Sequence, residues 1–392
     1  MTLQGLTLFL FLPLLLHLLH IAGWSRRFKG ALHPAETKAR NQAPGAATPW
    51  QPERAEDLTV VLPARNEARA LPRLLADLAK GNCLPAAVIV VDDASDDDTL
   101  KAIAPSGGWP FPLNIMANPG TGKKAGLSAG MRAAETTWVV QVDADVRIGR
   151  HFIDAIAQTL AQSGSKFDML LLPLRLANAA SGSPQRTLDV LQALDFAAMQ
   201  GWAVAAVQRS RPAMASGGAW VWRRSAFPHD ALRPELASGD DVFSLAALIA
   251  QGDGNRVGWV GRTEAMASAA PMPTLRQLLD QRIRWGAKST AYPRALKEAR
   301  RVATTIAAMH AAGIALLILH PLAGLAFWAT KALGDMAYTH QVGQAYGLFD
   351  GMGGLRRVSA LALLALVHPP FIITTLLLMP FRKVRWKGRT TA

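Results

Sequence analysis

Cysteine is almost absent from this sequence, with Cys83 the only one in 392 residues. A single thiol cannot form an intrachain disulfide, and it excludes a cysteine cluster that holds zinc or iron. Charged residues are also scarce, at 18%, whereas half of the chain is hydrophobic. This composition is apolar for a soluble protein and favours membrane-spanning segments. The length suffices for one large domain or two modest ones.

Acidic residues are too few to balance the basic ones, since 28 Asp and Glu stand against 42 Lys and Arg, for a net charge of +14. Such an excess is typical of proteins that bind nucleic acid or an anionic membrane surface. No zinc-finger spacing or RNA-binding aromatic motif is present, so we predict no nucleic-acid partner. The cations flank apolar stretches instead, as at the cytoplasmic ends of membrane helices. They are Arg26, Arg27, Lys29, Arg382, Lys383, Arg385, Lys387 and Arg389.

Three stretches contain no Asp, Glu, Lys or Arg: Leu3 to Ala22, Val302 to Thr330 and Val358 to Phe381. Each is long enough to cross a hydrocarbon core of about 30 Å. The first differs from a cleaved signal peptide because no cation precedes it, which favours a retained anchor with its N-terminus outside. Three spans then place the middle section and the basic tail in the cytosol. We therefore predict an integral protein of a bacterial-type inner or plasma membrane.

The stretch from Lys331 to Arg357 is less clear. Lys331 and Asp335 are four residues apart and could pair on a helix. An exterior loop is the preferred interpretation, with an interfacial helix or part of an extra span left open. The expected division is an N-terminal anchor (1–24), a linker rich in proline and alanine (25–57), a cytosolic domain (58–301), a membrane region (302–381) and a basic tail (382–392).

The middle section alternates short apolar runs with helical segments. Leucines at 71, 74, 75 and 78 give Ala68 to Lys80 helical spacing. Strands that are apolar throughout, rather than alternating, indicate a parallel sheet covered on both faces. In such sheets, ligands bind at the carboxyl ends of the strands. The predicted strands are Leu58 to Leu62, Ala87 to Val91, Trp138 to Val142 and Met169 to Leu172.

Two of these strands end in paired acids, Asp92-Asp93 and Asp143-Ala144-Asp145. Carboxylates suit a hard divalent cation such as Mg²⁺ or Mn²⁺, although single aspartates also cap turns and helices, as we expect within Ser95 to Asp98. Between the two pairs lies the segment Gly120 to Gly126, with two lysines before a predicted helix from Leu127 to Ala134. Its amides and a lysine could face a diphosphate. The spacing is not that of a P-loop.

Six short motifs in order resemble the family 2 glycosyltransferases of GT-A fold. They are Leu62 to Glu67, Val91 to Thr99, Gly122 to Leu127, Val142 to Asp145, Ser238 to Asp241 and Gln281 to Trp285. Each is weak alone, but six at family-like spacing over about 230 residues are specific. The Gln-x-x-Arg-Trp motif before membrane spans resembles the membrane branch, which includes ceramide, hopanoid and carotenoid glycosyltransferases and processive polysaccharide synthases. The implied fold is α/β, a GT-A domain with a mostly parallel sheet and transmembrane helices at both ends.

The resemblance also implies roles for individual residues. A UDP-sugar would contact nine of them, with Glu67, Asp92 and Asp93 at uracil and ribose and Lys124 at the diphosphate. Asp145 would coordinate Mg²⁺ or Mn²⁺. Asp241 would act as general base beside Asp240, and Gln281, Arg284 and Trp285 would close over the pyrophosphate and line the acceptor entrance. The nine donor-site residues are Pro63, Arg65, Glu67, Asp92, Asp93, Lys124, Asp143, Gly217 and Gly218.

Some residues also have ordinary structural interpretations. Trp220 and Trp222 are more typical of a core than of a sugar platform. His310, His320 and His368 lie in apolar stretches, where neutral histidines packed between helices are expected although an intramembrane ionisable group is a functional candidate. A basic stripe facing the membrane surface is expected from six residues. They are Arg276, Arg282, Lys288, Arg294, Arg300 and Arg301.

Three functions fit these observations. The preferred one is inverting, metal-dependent transfer of one sugar from a UDP-sugar to a membrane lipid. Processive polysaccharide synthesis is the alternative, although such synthases usually have more than three spans. A transporter or scaffold with a degenerate domain would have lost its acids, yet Asp93, Asp143, Asp145 and Asp241 are all present.

Overall fold

The computed structural model describes most of the chain. The described residues are 3–33, 54–104, 108–164, 166–177, 186–233, 236, 239–252, 254–287, 291–382, 384–386 and 389–391. Most of the predicted linker, as well as Ser238, Lys288, Lys383 and Lys387, lies outside these ranges.

A sheet of seven described strands forms the centre, in the order β3-β2-β1-β4-β8-β6-β9. Neighbours pair in parallel except β8, which is antiparallel to both β4 and β6. The prediction of a mostly parallel sheet is therefore confirmed. The strands are β1 (Arg54–Ala64), β2 (Leu84–Asp92), β3 (Leu113–Ala117), β4 (Trp138–Val142), β6 (Met169–Leu171), β8 (Ala219–Arg223) and β9 (Val257–Trp259). A smaller sheet joins β5 (Arg147–Ile148), β10 (Ala267–Ala269) and β7 (Leu174–Leu176).

The central strands are apolar on both sides because both faces of the sheet are covered. Val60 and Leu62 of β1 belong to one buried cluster, while Val61 between them belongs to another. Trp220 and Trp222 are fully buried in the second cluster, so their assignment to the core is confirmed. The helices of this domain are α2 (Leu71–Ala79), α3 (Thr99–Ala102), α4 (Lys123–Ala133), α5 (Phe152–Ser163), α6 (Thr187–Val207), α7 (Asp240–Ala250) and α8 (Leu275–Ala287).

Four further helices lie toward the ends of the chain. They are α1 (Leu3–Phe28), α9 (Lys297–Leu319), α10 (Pro321–Ala345) and α11 (Gly354–Leu378). Helices α1, α9 and α11 are long and apolar enough to cross a membrane, and so is α6, although 72% of the apolar window of α6 is buried inside the protein. Large apolar side chains such as Leu322 and Leu366 are exposed on the terminal helices. These findings suggest association with a membrane.

Two expectations for the C-terminal region were wrong. The stretch from Val302 to Thr330 is two helices rather than one, because α9 ends at Leu319 and Pro321, which has no amide hydrogen to donate, begins α10. The preferred exterior loop from Lys331 is helical as far as Ala345. Lys331 and Asp335 form the i, i+4 ion pair, and His17 of α1 lies 2.8 Å from Asp335, so these polar groups are paired within the bundle.

The expected segment boundaries also shift. Helix α1 continues to Phe28 and β1 begins at Arg54, so the linker is shorter at both ends than predicted. Helix α9 starts at Lys297, inside the range predicted for the cytosolic domain. The basic tail contains a small hairpin of β11 (Val384–Trp386) and β12 (Arg389–Thr391).

Candidate active site

A cavity of about 650 Å³ opens at the carboxyl ends of β1, β2 and β4. Its walls come from both sheets, from α4, α7 and α8, and from the C-terminal helices α9 and α11. Thirteen of the predicted site residues line it, which is the position expected of a ligand site in a parallel sheet. They are Pro63, Arg65, Glu67, Asp93, Asp143, Asp145, Gly217, Gly218, Asp240, Asp241, Gln281, Arg284 and Trp285.

The two acids at the end of β2 have different surroundings. Asp93 is buried and its Oδ1 accepts hydrogen bonds from Asn118 Nδ2 and from Gly122 N, both at 2.9 Å. These bonds tie β2 to the start of α4. Asp92 instead accepts from the hydroxyl and amide of Ser95, so it caps a turn beside the cavity.

The loop after β1 is held against the loop after β2. Arg65 Nη1 donates to the carbonyl oxygens of Asp93 and Ala94, and the Glu67 amide donates to the Thr99 hydroxyl at 2.7 Å. Asp97 accepts from the Thr99 amide, which confirms a cap in this acidic stretch. Because both loops are fixed, their side chains can form one wall for a flat ligand.

Lys123, which sequence reasoning passed over, lies at the centre of the acids. Its Nζ is 2.7 Å from Asp143 Oδ1 and 3.0 Å from Asp240 Oδ2, and it donates to the Gly217 carbonyl at 2.8 Å. Burial alone would lower the pKa of Lys123, but the two carboxylates together raise it, so the ammonium stays charged. It follows Gly122, whose φ of +85° is a conformation that glycine adopts without strain.

Lys124, the lysine chosen from the resemblance, points elsewhere. Its Nζ donates to the Arg233 carbonyl at 2.8 Å and lies 4.9 Å from the centre of the Phe243 ring. It does not line the cavity among the described residues. Successive residues on a helix point about 100° apart, so one of two adjacent lysines faces the site and the other faces the core.

Asp143 and Asp145 follow β4 at the rim of the cavity. Burial raises the pKa of Asp143, Lys123 opposes this rise, and the negative charges of Asp145 and Asp240 add to it. Gln141 Nε2 also donates to Asp143 Oδ1 at 2.9 Å. Asp145 is exposed, which leaves its oxygens accessible to a ligand that enters the cavity.

Asp240 and Asp241 begin α7 after Gly239, which has a φ of +97°. Asp240 is buried against Lys123, whereas Asp241 is partly exposed in the cavity. Two glycines lie nearby, where the neighbouring side chains leave little space for a Cβ atom. A Cβ on Gly217 would stand 3.2 Å from Asp241 Oδ2, and one on Gly218 would stand 2.7 Å from Leu174 Cδ2. The glycines therefore keep this side of the cavity open.

Helix α8 carries the Gln-x-x-Arg-Trp motif. Burial lowers the pKa of Arg284, and the charges of Asp143, Asp240 and Asp241 counteract that effect, so its guanidinium faces the acids. Trp285 lies 6.4 Å from Phe196, ring centre to ring centre. The stripe interpretation was wrong for Arg282, which is buried, stacks 4.6 Å over Trp285 and pairs with Asp195 on α6.

Two more groups that sequence reasoning missed contribute to the site. Burial, with a smaller effect from Asp241, raises the pKa of Tyr292 to about 12, so its hydroxyl remains a donor at neutral pH. Asp195 joins Arg282 to His368 of α11, which lies 3.3 Å from Asp195, and so connects the motif helix α8 to α11. No short motif marks either residue.

The acids also fit a divalent cation of the kind that the resemblance implies. No group of three or more His, Cys, Asp or Glu arranged to hold a metal occurs among the described residues. Mg²⁺ and Mn²⁺ that act on nucleotides are bound by one or two carboxylates and complete their shell with phosphate oxygens and water. The accessible Asp145 beside Asp143 provides such a partial donor set.

Comparison with known proteins finds a family whose sequence pattern matches part of this region. Residues 59–175 match the family described as Glycosyl transferase family 2. The matched region includes β1, β2, β4 and the acids that follow them, and the GT-A fold class predicted from the motifs is confirmed. Residues 59–175 thus match a family 2 glycosyltransferase domain, in agreement with the predicted class of enzyme.

Curated relatives match parts of the chain. The 4,4'-diaponeurosporenoate glycosyltransferase of Staphylococcus haemolyticus is 29% identical over 124 residues, which is 31% of this chain and 33% of the relative. An uncharacterised glycosyltransferase of Mycobacterium tuberculosis is 36% identical over 88 residues, which is 22% of this chain and 36% of the relative. The alignments thus span about a third of these relatives.

Solved structures align over more of the chain at low identity. A mannosyltransferase from Pyrobaculum calidifontis, in complex with GDP-Man and Mn²⁺, covers 97% of this chain and 99% of its own, with 16% identity and a TM-score of 0.49. The glucosyl-3-phosphoglycerate synthase of Mycobacterium tuberculosis covers 57% and 74%, with 18% identity and a TM-score of 0.37. The fold assignment rests on the family match and the sheet order.

Proposed function

We propose that this protein transfers one sugar from a UDP-sugar to a hydroxyl group of a membrane lipid, with inversion at the sugar carbon. The observation that carries the proposal is a single cavity with two kinds of wall. One side holds Asp143, Asp240, Asp241, Lys123 and Arg284, and the other is apolar and comes partly from α11.

The polar side fits a nucleotide sugar. Arg65 and Glu67 lie on the loop after β1, and Asp93 lies on the neighbouring loop after β2. The resemblance assigns uracil and ribose to this position. Lys123 is paired with Asp143, and Arg284 lies close enough to Asp143, Asp240 and Asp241 for their charges to act on its pKa. A diphosphate that enters here would meet both of them. Uridine as the base comes from the resemblance.

The apolar side fits a lipid acceptor. Ile372 and Leu376 of α11 line the cavity, together with Met379 directly after this helix. Leu376 is 53% exposed, so the apolar wall continues to the outer surface of a helix that is apolar enough to cross a membrane. A water-soluble acceptor would gain nothing from such a wall, whereas a lipid would bury its chain there.

The chemistry follows from the charges around Asp241. An acceptor hydroxyl attacks the sugar carbon, its proton passes to the Asp241 carboxylate, and the bond from that carbon to the diphosphate oxygen breaks. Attack from the side opposite the leaving group inverts the carbon. Lys123 and Arg284 stabilise the negative charge that develops on the departing diphosphate.

A divalent cation held by Asp145, with support from Asp143, would neutralise the same diphosphate charge. Asp143 is also paired to Lys123, and its pKa rises with the charge of Asp145. A cation at Asp145 would therefore favour the ionised form of Asp143. The choice between Mg²⁺ and Mn²⁺ is open.

The proposed reaction is tested with purified full-length protein, extracted membrane lipids and a panel of radiolabelled nucleotide sugars. We expect label from one UDP-sugar to enter the organic solvent phase, because the product is a glycolipid. Label retained in a high-mass polymer would support processive synthesis instead. No incorporation from any donor, in a chain shown to be folded, would contradict both.

Removal of the divalent cation is expected to lower transfer at least a hundredfold, because developing diphosphate charge loses a main source of stabilisation. Asp145→Asn should raise the metal concentration needed for half-maximal transfer about tenfold or more. The matched control is Asp98→Asn, which removes a carboxylate exposed at 73% and paired with Lys101 away from the cavity. Full activity of the wild type in excess chelator would refute the role of Asp145.

A further inference from the structure

A second cavity, of about 270 Å³, lies between α1, α6, α9, α10 and α11. It shares Met199, Arg282 and Ile372 with the wall of the active-site cavity, but it has its own set of polar residues. Most of its lining is apolar, with Met309, Met336 and Leu364 among the side chains. The volume is many times that of one water molecule, which occupies about 30 Å³ in the liquid. The space therefore suits a small apolar group or part of a larger one.

His310 presents a hydrogen-bond acceptor to this space. The side chain is 7% exposed, and its Nδ1 lies 2.8 Å from the Ile306 carbonyl oxygen. A carbonyl oxygen only accepts, so Nδ1 carries the hydrogen and Nε2 of the neutral ring is left as an acceptor. In the described part of the chain, no group lies within hydrogen-bond distance of the buried Nε2. Such an unsatisfied acceptor is unfavourable unless a ligand or water donates to it.

Lys331 offers donors on the same cavity. It is 3% exposed and pairs with Asp335 one turn further along α10. An ammonium has three hydrogens, so Lys331 can donate further hydrogen bonds beyond the one to Asp335. The rest of the cavity lining is mostly apolar. A group that both accepts from Lys331 and donates to His310 would satisfy both residues.

The charges on the cavity select a neutral ligand. The described lining has two permanent cations, Lys331 and Arg282, and two carboxylates, Asp335 and Asp195. Lys331 pairs with Asp335 within α10, and Arg282 of α8 pairs with Asp195 of α6. A carboxylate could not donate to His310, and because the charges of the lining are already paired, any charged ligand would lose its hydration without gaining an ion-pair partner of its own. A hydroxyl group is neutral and both donates and accepts.

We propose that this interhelical cavity binds an aliphatic lipid alcohol, with its hydroxyl between His310 and Lys331 and its hydrocarbon against the methionine-rich wall. The flexible methionines adapt to chains of different shape. The site does not depend on the proposed sugar transfer, because none of Asp143, Asp240, Asp241, Lys123 and Arg284 lines this cavity. The alcohol has two possible sources, the acceptor lipid itself or another lipid of the bilayer.

The test uses full-length protein in detergent micelles without nucleotide sugar. The probe is a twelve-carbon alcohol that carries a photoreactive diazirine, and its methyl ether serves as the matched probe that cannot donate. We expect the alcohol to label peptides of α9 and α10 at a concentration about two- to tenfold lower than the ether, the value of one net hydrogen bond. His310→Leu should abolish this preference, and His310→Gln, which restores an acceptor, should recover part of it.

His320→Leu is the matched control, since His320 lies in the same helix bundle but does not line the cavity. It should keep the wild-type preference, and near-identical thermal unfolding of the variants would show that His310→Leu still folds. Equal labelling by alcohol and ether in the wild type, or a preference that persists in His310→Leu, overturns the proposal.

Two further arms identify the source and separate this site from catalysis. An Asp241→Asn chain that retains the alcohol preference supports the cavity even where sugar transfer fails. With a radiolabelled donor present, sugar recovered on the alcohol assigns the cavity to the acceptor. Labelling of α9 and α10 without glycosylation of the alcohol assigns it to a non-substrate membrane lipid.

Discussion

Replacement of Asp241 by asparagine is expected to lower the turnover number about a hundred- to ten-thousandfold, the range that general bases contribute. In the wild type, Asp241 Oδ1 accepts a hydrogen bond from the Val242 backbone amide at 2.8 Å. The asparagine side chain has the same size and keeps an oxygen that can accept this bond. It cannot take the proton of an acceptor hydroxyl. The measurement is steady-state transfer from the active UDP-sugar, together with UDP binding by calorimetry.

The binding measurement decides what the lost turnover means. We expect the dissociation constant for UDP to stay within about threefold of the wild type, because Asp241 is placed at the acceptor rather than at the nucleotide. Asp98→Asn again serves as the matched carboxylate-to-amide control. Unchanged turnover in Asp241→Asn would refute its role as the base, and a parallel loss of UDP binding would point to a structural role.

The two adjacent lysines of α4 should differ sharply when each is changed to methionine. Lys123→Met is expected to lower kcat/KM about a hundred- to a thousandfold, because it removes a cation that faces the departing diphosphate. It also leaves Asp143 and Asp240 side by side without their shared partner. The measurement is kcat/KM for the nucleotide sugar over a range of pH.

Lys124→Met is the matched control and tests the role that the resemblance implies for Lys124. Its loss breaks the hydrogen bond to the Arg233 carbonyl and the contact with Phe243, so we expect lower thermal stability but less than a tenfold change in kcat/KM at a temperature where the chain is folded. The reverse outcome, with Lys124→Met inactive and Lys123→Met active, would restore Lys124 to the diphosphate and contradict our assignment.

Local features of the sequence were enough to predict the sheet and most of the candidate site. Strands such as Trp138–Val142 are apolar at every position, and only a sheet covered on both faces buries such runs. The acids directly after those strands had to meet at one edge, because parallel strands end on the same side. Asp93 and Asp143 could therefore be assigned to this edge from the strand pattern, whereas Asp241 was implied by the family resemblance.

What the sequence alone did not determine depends on contacts between distant segments. Whether Lys123 or Lys124 faces the acids depends on the rotation of α4 against the sheet, and two adjacent lysines look alike in the sequence. Arg282 was predicted to be a surface cation, but it is buried and forms an ion pair with Asp195, which lies 87 positions away in the sequence. Lys331 and Asp335 could belong to a loop or a helix, and His17 of α1, 318 positions from Asp335, provides a partner within the bundle. The chemistry of a side chain is known from the sequence, but the free-energy cost of burying its charge depends on which partner the tertiary structure places beside it.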